Sequence, residues 1–371
     1  MLFDPRLLKE SFALVEDVFD QVAGHFYALL FLDRPELREM FPAAMDHQRD
    51  RFLRALISIV HGIDRADFVH GYLAELGRDH RKFAVRPEHY DSVGKALIGA
   101  MRRYVGESWT PEMEAAWTEV YQRLAATMID AAEQAEADTP PWWTGEVVAH
   151  ERRTEQIAVL SVRAQPALPY QAGQYVSVET ARWPRVWRTY SIANAPRPDG
   201  VLDFHVRAVD AGWVSGALVR HTRVGDTLRL GAAKGGMVFD RDSTRDIVMV
   251  AGGTGLAPIK ALLEETARTP HDRPVSVFFG ARRAAELYDL AALARLAERH
   301  PRLTVVPVVS DEPDHAGERG MLPDVLVRYG TWHDCDVYVC GPAAMVRATV
   351  SRLLETGVPL TRMRYDDFGD M

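Results

Sequence analysis

The chain has 371 residues, 47% of them hydrophobic and 26% charged, which suits a globular protein of two or three domains rather than one. A net charge of -8 gives no global electrostatic reason to bind nucleic acid or an anionic membrane, and only Cys335 and Cys340 are present, so neither a disulfide framework nor a cysteine metal cluster is expected. The start, Met1 to Glu10, lacks the basic-then-apolar order of a secretory signal and no apolar run is long enough to span a bilayer; the expectation is a cytoplasmic protein acting on small molecules, with no nucleic-acid, membrane or obligate protein partner.

From Phe12 to Ala137 apolar residues recur at three and four, as in Phe52, Leu53, Leu56, Ile57 and Val60, which predicts five or more amphipathic helices. Pro35, Pro42, Pro87 and Pro111 fall where helices begin or are separated, because proline is tolerated in a first turn and disruptive in an interior one. Asp138-Thr139-Pro140-Pro141 ends the last helix, and Glu146 to Val162 then alternates as strands do. A second change comes at Asp240 to Arg245, before the apolar strand Ile247-Val248-Met249-Val250. The expected domains are 1–138, 139–241 and 242–371.

Short motifs then follow in a fixed order. Arg188-Thr189-Tyr190-Ser191 places a cation, an aromatic face and a hydroxyl together, which suits a flavin: the guanidinium for a pyrophosphate, the ring along the isoalloxazine, Ser191 for the flavin N5. Gly212-Trp213-Val214-Ser215 reads as a glycine-opened helix start whose backbone N–H groups suit a phosphate. Gly252-Gly253-Thr254-Gly255-Leu256-Ala257-Pro258 joins strand to helix as a phosphate-type loop, with Pro258 in the first helical turn. Its spacing departs from G-x-G-x-x-G. Val337-Tyr338-Val339-Cys340-Gly341-Pro342 is a second buried strand ending in a tight turn, which places a sulfur at the carboxyl edge of the sheet.

Together, over roughly Trp142 to Phe368, these motifs resemble the ferredoxin reductase-type family. The resemblance implies an FAD-binding β-barrel followed by an NAD(P)H-binding α/β domain, with Arg188, Tyr190 and Ser191 on flavin, Gly252 to Pro258 on the dinucleotide, and Cys340, Gly341 and Pro342 beside the hydride-transfer site. Phe368, near the C-terminus, is a terminal aromatic placed either to cover the flavin ring or to pack as part of the tail. Arg282 and Arg283 are placed either to meet a 2′-phosphate or to face solvent, so NADH and NADPH both stand.

The helical part, about Phe12 to Met128, resembles the globin of the flavohaemoglobins. The resemblance makes Tyr27 the distal tyrosine, Gln48 the distal glutamine, Phe41 the aromatic packed on haem, His80 the proximal ligand and Tyr90 the tyrosine that approaches it. It further implies an acidic partner for His80 on the last globin helix, near Ala132, Glu133, Gln134 and Glu136, and a lysine where Asp79 stands. Placement supports His80 independently among six histidines before residue 100: it ends a helical segment, Phe68 to Lys82, so its ring can leave the helix face. His47 is expected to be exposed. The whole resembles a flavohaemoglobin. The fold class so implied is an all-α globin, then an antiparallel β-barrel FAD domain, then an α/β parallel-sheet NAD(P)H domain. The implied cofactors are haem b, FAD and NADH or NADPH; the implied activity is nitric oxide dioxygenase, with hydride passing to FAD, single electrons to haem, and dioxygen and nitric oxide giving nitrate. A haem-based oxygen or redox sensor, and a reductase serving a separate oxygenase, remain the other readings.

Overall fold

In a computed structural model, residues 4–269 and 272–367 are described; Phe368 lies outside them. The chain divides between Trp142 and Trp143 into two compact units.

The first unit is all helix: α1 (Pro5–Ala13), α2 (Phe19–Asp33), α3 (Asp46–Gly62), α4 (Ala66–His80), α5 (Pro87–Val105) and α6 (Pro111–Asp138). Local chemistry sets their ends. The Asp4 carboxylate accepts from the Arg6 N–H at the start of α1, Pro87 and Pro111 occupy first turns, and Thr110 Oγ1 accepts from the Met113 N–H at 3.2 Å. The core joins Leu8, Phe12, Phe26, Leu30, Met101 and Trp117, and the one polar edge of Trp117 is satisfied because its indole N–H donates to Ser11 Oγ at 2.9 Å. Helix α4 lies along α6. The closest approach is at Gly77, where an added Cβ would stand 2.2 Å from the Met128 carbonyl oxygen.

The second unit opens with antiparallel strands β1 (Trp143–Arg152), β2 (Ile157–Gln165), β3 (Tyr175–Thr180), β4 (Arg188–Ser191) and β5 (Val201–Arg207), then helix α7 (Trp213–Arg220) and β6 (Thr227–Leu230). Their order is β4-β3-β6-β1-β2-β5, and Ile192, just past β4, bridges to Phe204 on β5 and brings the two edges together as a nearly closed barrel. Burial alternates along β1, as a strand with one face to the barrel interior requires. Inside lie Val147, Leu160, Val162, Val176 and Phe204.

A parallel sheet follows, from β7 (Asp246–Gly252), α8 (Leu256–Arg268), β8 (Val275–Ala281), α9 (Leu290–Arg299), β9 (Leu303–Val309), β10 (Glu318–Arg319), α10 (Leu322–Tyr329), β11 (Cys335–Gly341), α11 (Ala343–Glu355) and β12 (Met363–Asp367). The order β10-β9-β8-β7-β11-β12 reverses direction between β7 and β11. In such sheets a ligand crevice opens at that point, beyond the carboxyl ends of the strands. From Ile247 to Gly252 β7 is buried, as is all of β11, which is why residues 247–251 and 337–340 read as apolar runs.

Gly77→Ala should lower the stability of the helical unit by roughly 1–3 kcal/mol, because the new methyl meets backbone rather than a yielding side chain. Gly71→Ala, on the same helix with open space at its Cβ, should instead raise it by about 0.5–1 kcal/mol. Urea denaturation of both variants reads the difference; equal midpoints would mean that the α4–α6 contact is not close.

Candidate functional site

The helical unit gathers Tyr27, Gln48 and Phe41. Tyr27 is buried on α2, Gln48 comes from the first turns of α3, and the Gln48 amide Nε2 donates to the Tyr27 hydroxyl oxygen at 3.2 Å. Since that oxygen accepts from Gln48, its own proton is left to donate to a third group. Burial pushes the Tyr27 phenol up to about 12, so it is protonated at neutral pH. Phe41 meets the Tyr27 ring edge-on, centroids 5.5 Å apart. Its corner is pinned by Arg38, whose guanidinium donates to the Pro42 and Ala43 carbonyls, both at 3.0 Å. His47 is exposed.

His80 is the last residue of α4, and its Nδ1 lies 2.7 Å from the Leu76 carbonyl oxygen. A carbonyl only accepts, so Nδ1 carries a proton, and in the neutral ring the lone pair is then on Nε2. That is the neutral tautomer that a metal-binding imidazole needs. These residues therefore fit a haem: one oriented imidazole, and a buried phenol with a proton to give.

The surroundings of His80 differ from the implied acidic partnership. Glu133, Gln134 and Glu136 are exposed on α6, and Ala132 is half-buried. Leu73, Leu76, Leu124 and Met128 pack together where α4 meets α6, with half-buried Tyr90 against them. Burial raises the Tyr90 phenol to about 12, and the Tyr90 carbonyl accepts from the Tyr121 hydroxyl at 2.6 Å. Asp79 pairs with Lys82 at 2.8 Å.

In the second unit, Arg188 and Tyr190 stand two apart on β4, hence on one face of that strand, with Ser191 on the other. One Arg188 nitrogen donates to the Trp187 carbonyl at 3.0 Å, and burial raises the Tyr190 phenol. Gly212 precedes α7, and a Cβ there would stand 2.4 Å from Ser215 Oγ. The Ser215 hydroxyl donates to the Gly212 carbonyl at 3.2 Å, while Val214 is buried beneath. The turn is thus held from inside, leaving the first N–H groups of α7 to face outward partners.

The loop Gly252-Gly253-Thr254-Gly255 leaves β7 and enters α8, with Pro258 in the first turn. A Cβ on Gly255 would be 2.2 Å from the Cys340 carbonyl oxygen, and one on Gly252 3.1 Å from Pro342 Cδ. The two glycine motifs, some 85 residues apart in sequence, are therefore in contact at the carboxyl ends of β7 and β11, the place where the strand order reverses. Gly341, beside Gly252, completes that contact. Cys340 occupies the expected strand end, yet its side chain is wholly buried in the core and burial drives its thiol well up. Its sulfur is a packing group, and the backbone carbonyl is what meets the loop. Arg282 and Arg283 follow β8 and are exposed.

Sequence reasoning missed the Leu76 carbonyl, because a backbone acceptor has no residue signature. It also missed His205, Lys260, Tyr288 and Asp289, which form a polar cluster with His205 and Asp289 buried at its centre. The one signal was a histidine and an aspartate inside otherwise apolar stretches.

Three families match the chain in succession: Globin over residues 24–128, the oxidoreductase FAD-binding domain over 145–239, and the oxidoreductase NAD-binding domain over 249–351. The flavohemoprotein of Bacillus subtilis (strain 168) is 26% identical over 388 residues, which cover 98% of this chain and 96% of the relative. The ferredoxin–NAD(P)(+) reductase component of the naphthalene 1,2-dioxygenase system of Pseudomonas putida is 32% identical over 229 residues, 60% of this chain and 68% of the relative. A flavohemoglobin structure from Malassezia yamatoensis, with bound FAD and heme, shares the fold over 98% of both chains with a TM-score of 0.79 at 20% identity.

Because the Tyr27 phenol is held up to about 12, alkaline titration at 295 nm should show Tyr27→Phe losing absorbance change only near that pH. A loss near pH 10 would mean an exposed hydroxyl and an open distal wall.

Proposed function

The chain belongs to the flavohaemoglobin family, and from that premise we propose that it is a nitric oxide dioxygenase acting on dioxygen, nitric oxide and NADH or NADPH. At the coarser level it is an NAD(P)H-dependent flavohaem oxidoreductase, with haem, FAD and a nicotinamide dinucleotide as the cofactors of its three parts. Bound FAD would supply the change from a two-electron hydride donor to single electrons, and haem held by His80 would supply the centre at which dioxygen, nitric oxide and one electron give nitrate.

What carries this reading is the Tyr27–Gln48 pair. Gln48 turns the phenol so that its proton points away from the amide, and burial keeps that proton on the oxygen at neutral pH. A buried neutral donor stabilises an oxygen atom that gains negative charge, without introducing a fixed charge of its own. On the proximal side, the Leu76 carbonyl fixes the His80 ring and tautomer. In the reductase unit, Arg188 offers its remaining donors to a pyrophosphate, Tyr190 an aromatic face, and the Gly252–Gly255 backbone a close approach for a second dinucleotide.

One observation favours a second reading. The identity to the dioxygenase reductase component, 32%, exceeds the 26% to the full-length relative, as would suit a reductase serving a separate oxygenase. That reading requires no haem in the helical unit. A purified protein without a Soret band would favour it.

Tyr27→Phe should slow aerobic, NAD(P)H-driven consumption of nitric oxide by roughly 100- to 1,000-fold, the usual effect of deleting one preorganised donor, with FAD content unchanged. His80→Ala should abolish it. Nitric oxide electrode traces that are the same for wild type and Tyr27→Phe would remove the distal role; slow turnover by the wild type itself would point to sensing instead.

A further inference from the structure

A polar seam runs between the barrel and the parallel sheet within the second unit. His205 projects from β5 with its side chain wholly buried; Nδ1 lies 2.8 Å from the Tyr288 hydroxyl, and the rings meet edge to face at 5.4 Å. His205 Nε2 has no hydrogen-bond partner and sits 3.9 Å from Asp289 Oδ2. Asp289, 3% exposed at its side chain, accepts from Lys260 Nζ at 2.8 Å, and Arg153 stands 3.9 Å away. Burying a carboxylate requires such partners, and one left alone in this setting would be costly.

The seam continues along α8 at helical spacing. Lys260 bonds Asp289, Glu264 accepts from the Ala195 N–H at 3.1 Å, and Arg268 donates to the Pro196 carbonyl at 2.6 Å. These positions, four apart, form one stripe of the helix. Ala195 lies four residues after Ser191, and Lys260 five after Gly255. The segment between is rigid, since buried Asn194 donates to Tyr170 Oη, to the Ala195 carbonyl and to the Val201 carbonyl, and accepts from the Asp203 N–H at 2.6 Å. The strand with Arg188 and Tyr190 and the helix that starts at the Gly252–Gly255 loop are thus tied by a short, directional linkage, buried at Asn194 and Asp289 and partly exposed along α8.

We infer that His205, Tyr288, Asp289 and Lys260, with Glu264, are positioning residues for hydride transfer: they hold the Gly252–Pro258 loop at a fixed offset from the Arg188–Ser191 strand. The inference rests on the proposed reading of these two segments as nicotinamide and flavin sites. Hydride transfer depends steeply on distance and alignment, so a seam that fixes the offset governs the rate of flavin reduction more than the affinity for nucleotide.

The groups facing His205 are Tyr288 and Asp289 at the start of α9, Lys260 on α8 and Arg153 after β1. Burial first, then Lys260 and Arg153, push the imidazole well below its ordinary 6.5. The docked seam therefore binds fewer protons than an opened one as the pH falls below about 6.5, so docking is at full strength above that pH and weakens below it.

The test is stopped-flow reduction of the bound flavin by NADH and by NADPH, on full-length protein loaded with haem and FAD. Asp289→Asn and Tyr288→Phe should lower the limiting rate constant at saturating nucleotide by about ten- to a hundredfold, leaving the nucleotide concentration at half-saturation and the FAD stoichiometry unchanged. His205→Gln should flatten the fall in rate that the wild type shows on going below pH 6.5. Tyr288→Phe removes one hydroxyl only, so it remains informative if Asp289→Asn does not fold. Normal reduction in the wild type with unchanged limiting rates in the folded variants overturns the positioning role alone, as does a lowered rate accompanied by loss of FAD. A wild type that holds FAD yet is reduced by neither nucleotide overturns the parent reading and the inference with it.

Discussion

The account depends on a hydrogen bond between a side chain and its own helix, from His80 Nδ1–H to the Leu76 carbonyl. A histidine at the end of a helix is free to turn unless something fixes the ring, and only one of its two neutral tautomers leaves Nε2 able to bind a metal. The carbonyl one turn earlier does both jobs. It is also a neutral acceptor, and apolar Leu73, Leu76, Leu124 and Met128 pack nearby. A proton held by a neutral carbonyl leaves the imidazole less electron-rich than one held by a carboxylate. Gly77, next to Leu76, makes the arrangement possible by letting α4 lie on the backbone of α6 at Met128.

The reductase unit works by a related constraint. Its glycine loop is placed by contact with the main chain of a neighbouring strand, since Gly255 rests on the Cys340 carbonyl and the Gly341 Cα. Such contacts do not yield, so they fix position more firmly than side-chain packing does. The polar seam through Asp289 and α8 then carries that position across to the barrel. In both units the residues that hold the geometry are less conspicuous than those they hold.

This explains what the sequence disclosed. The helices were legible because Pro35, Pro87 and Pro111 punctuate a clear three-and-four periodicity, and the parallel sheet because β7 and β11 carry the apolar runs 247–250 and 337–340. Tyr27 and Gln48, 21 residues apart, were singled out by the resemblance to the flavohaemoglobin globin, and nothing in the local sequence gives the hydrogen bond between them. Cys340 stands at the strand end expected for it and is wholly buried, as every residue of β11 is, because both faces of that strand are core. The acidic partner for His80 was implied by the resemblance alone; Glu133 and Glu136, the carboxylates nearest that place on α6, are exposed. The seam was hidden for a different reason. His205 and Asp289 are 84 residues apart and each resembles an ordinary surface residue until the fold buries both.

The most direct measurement is the visible spectrum of the purified protein, recorded as isolated and again under carbon monoxide after anaerobic addition of NADH or NADPH. The account requires a Soret band with flavin absorption at the outset, then bleaching of the flavin and a shifted, sharpened Soret band as reduced haem takes up the gas, all with the haem features lost in His80→Ala. A haem spectrum that is the same in His80→Ala, or a Soret band that stays oxidised while the flavin bleaches, would contradict it.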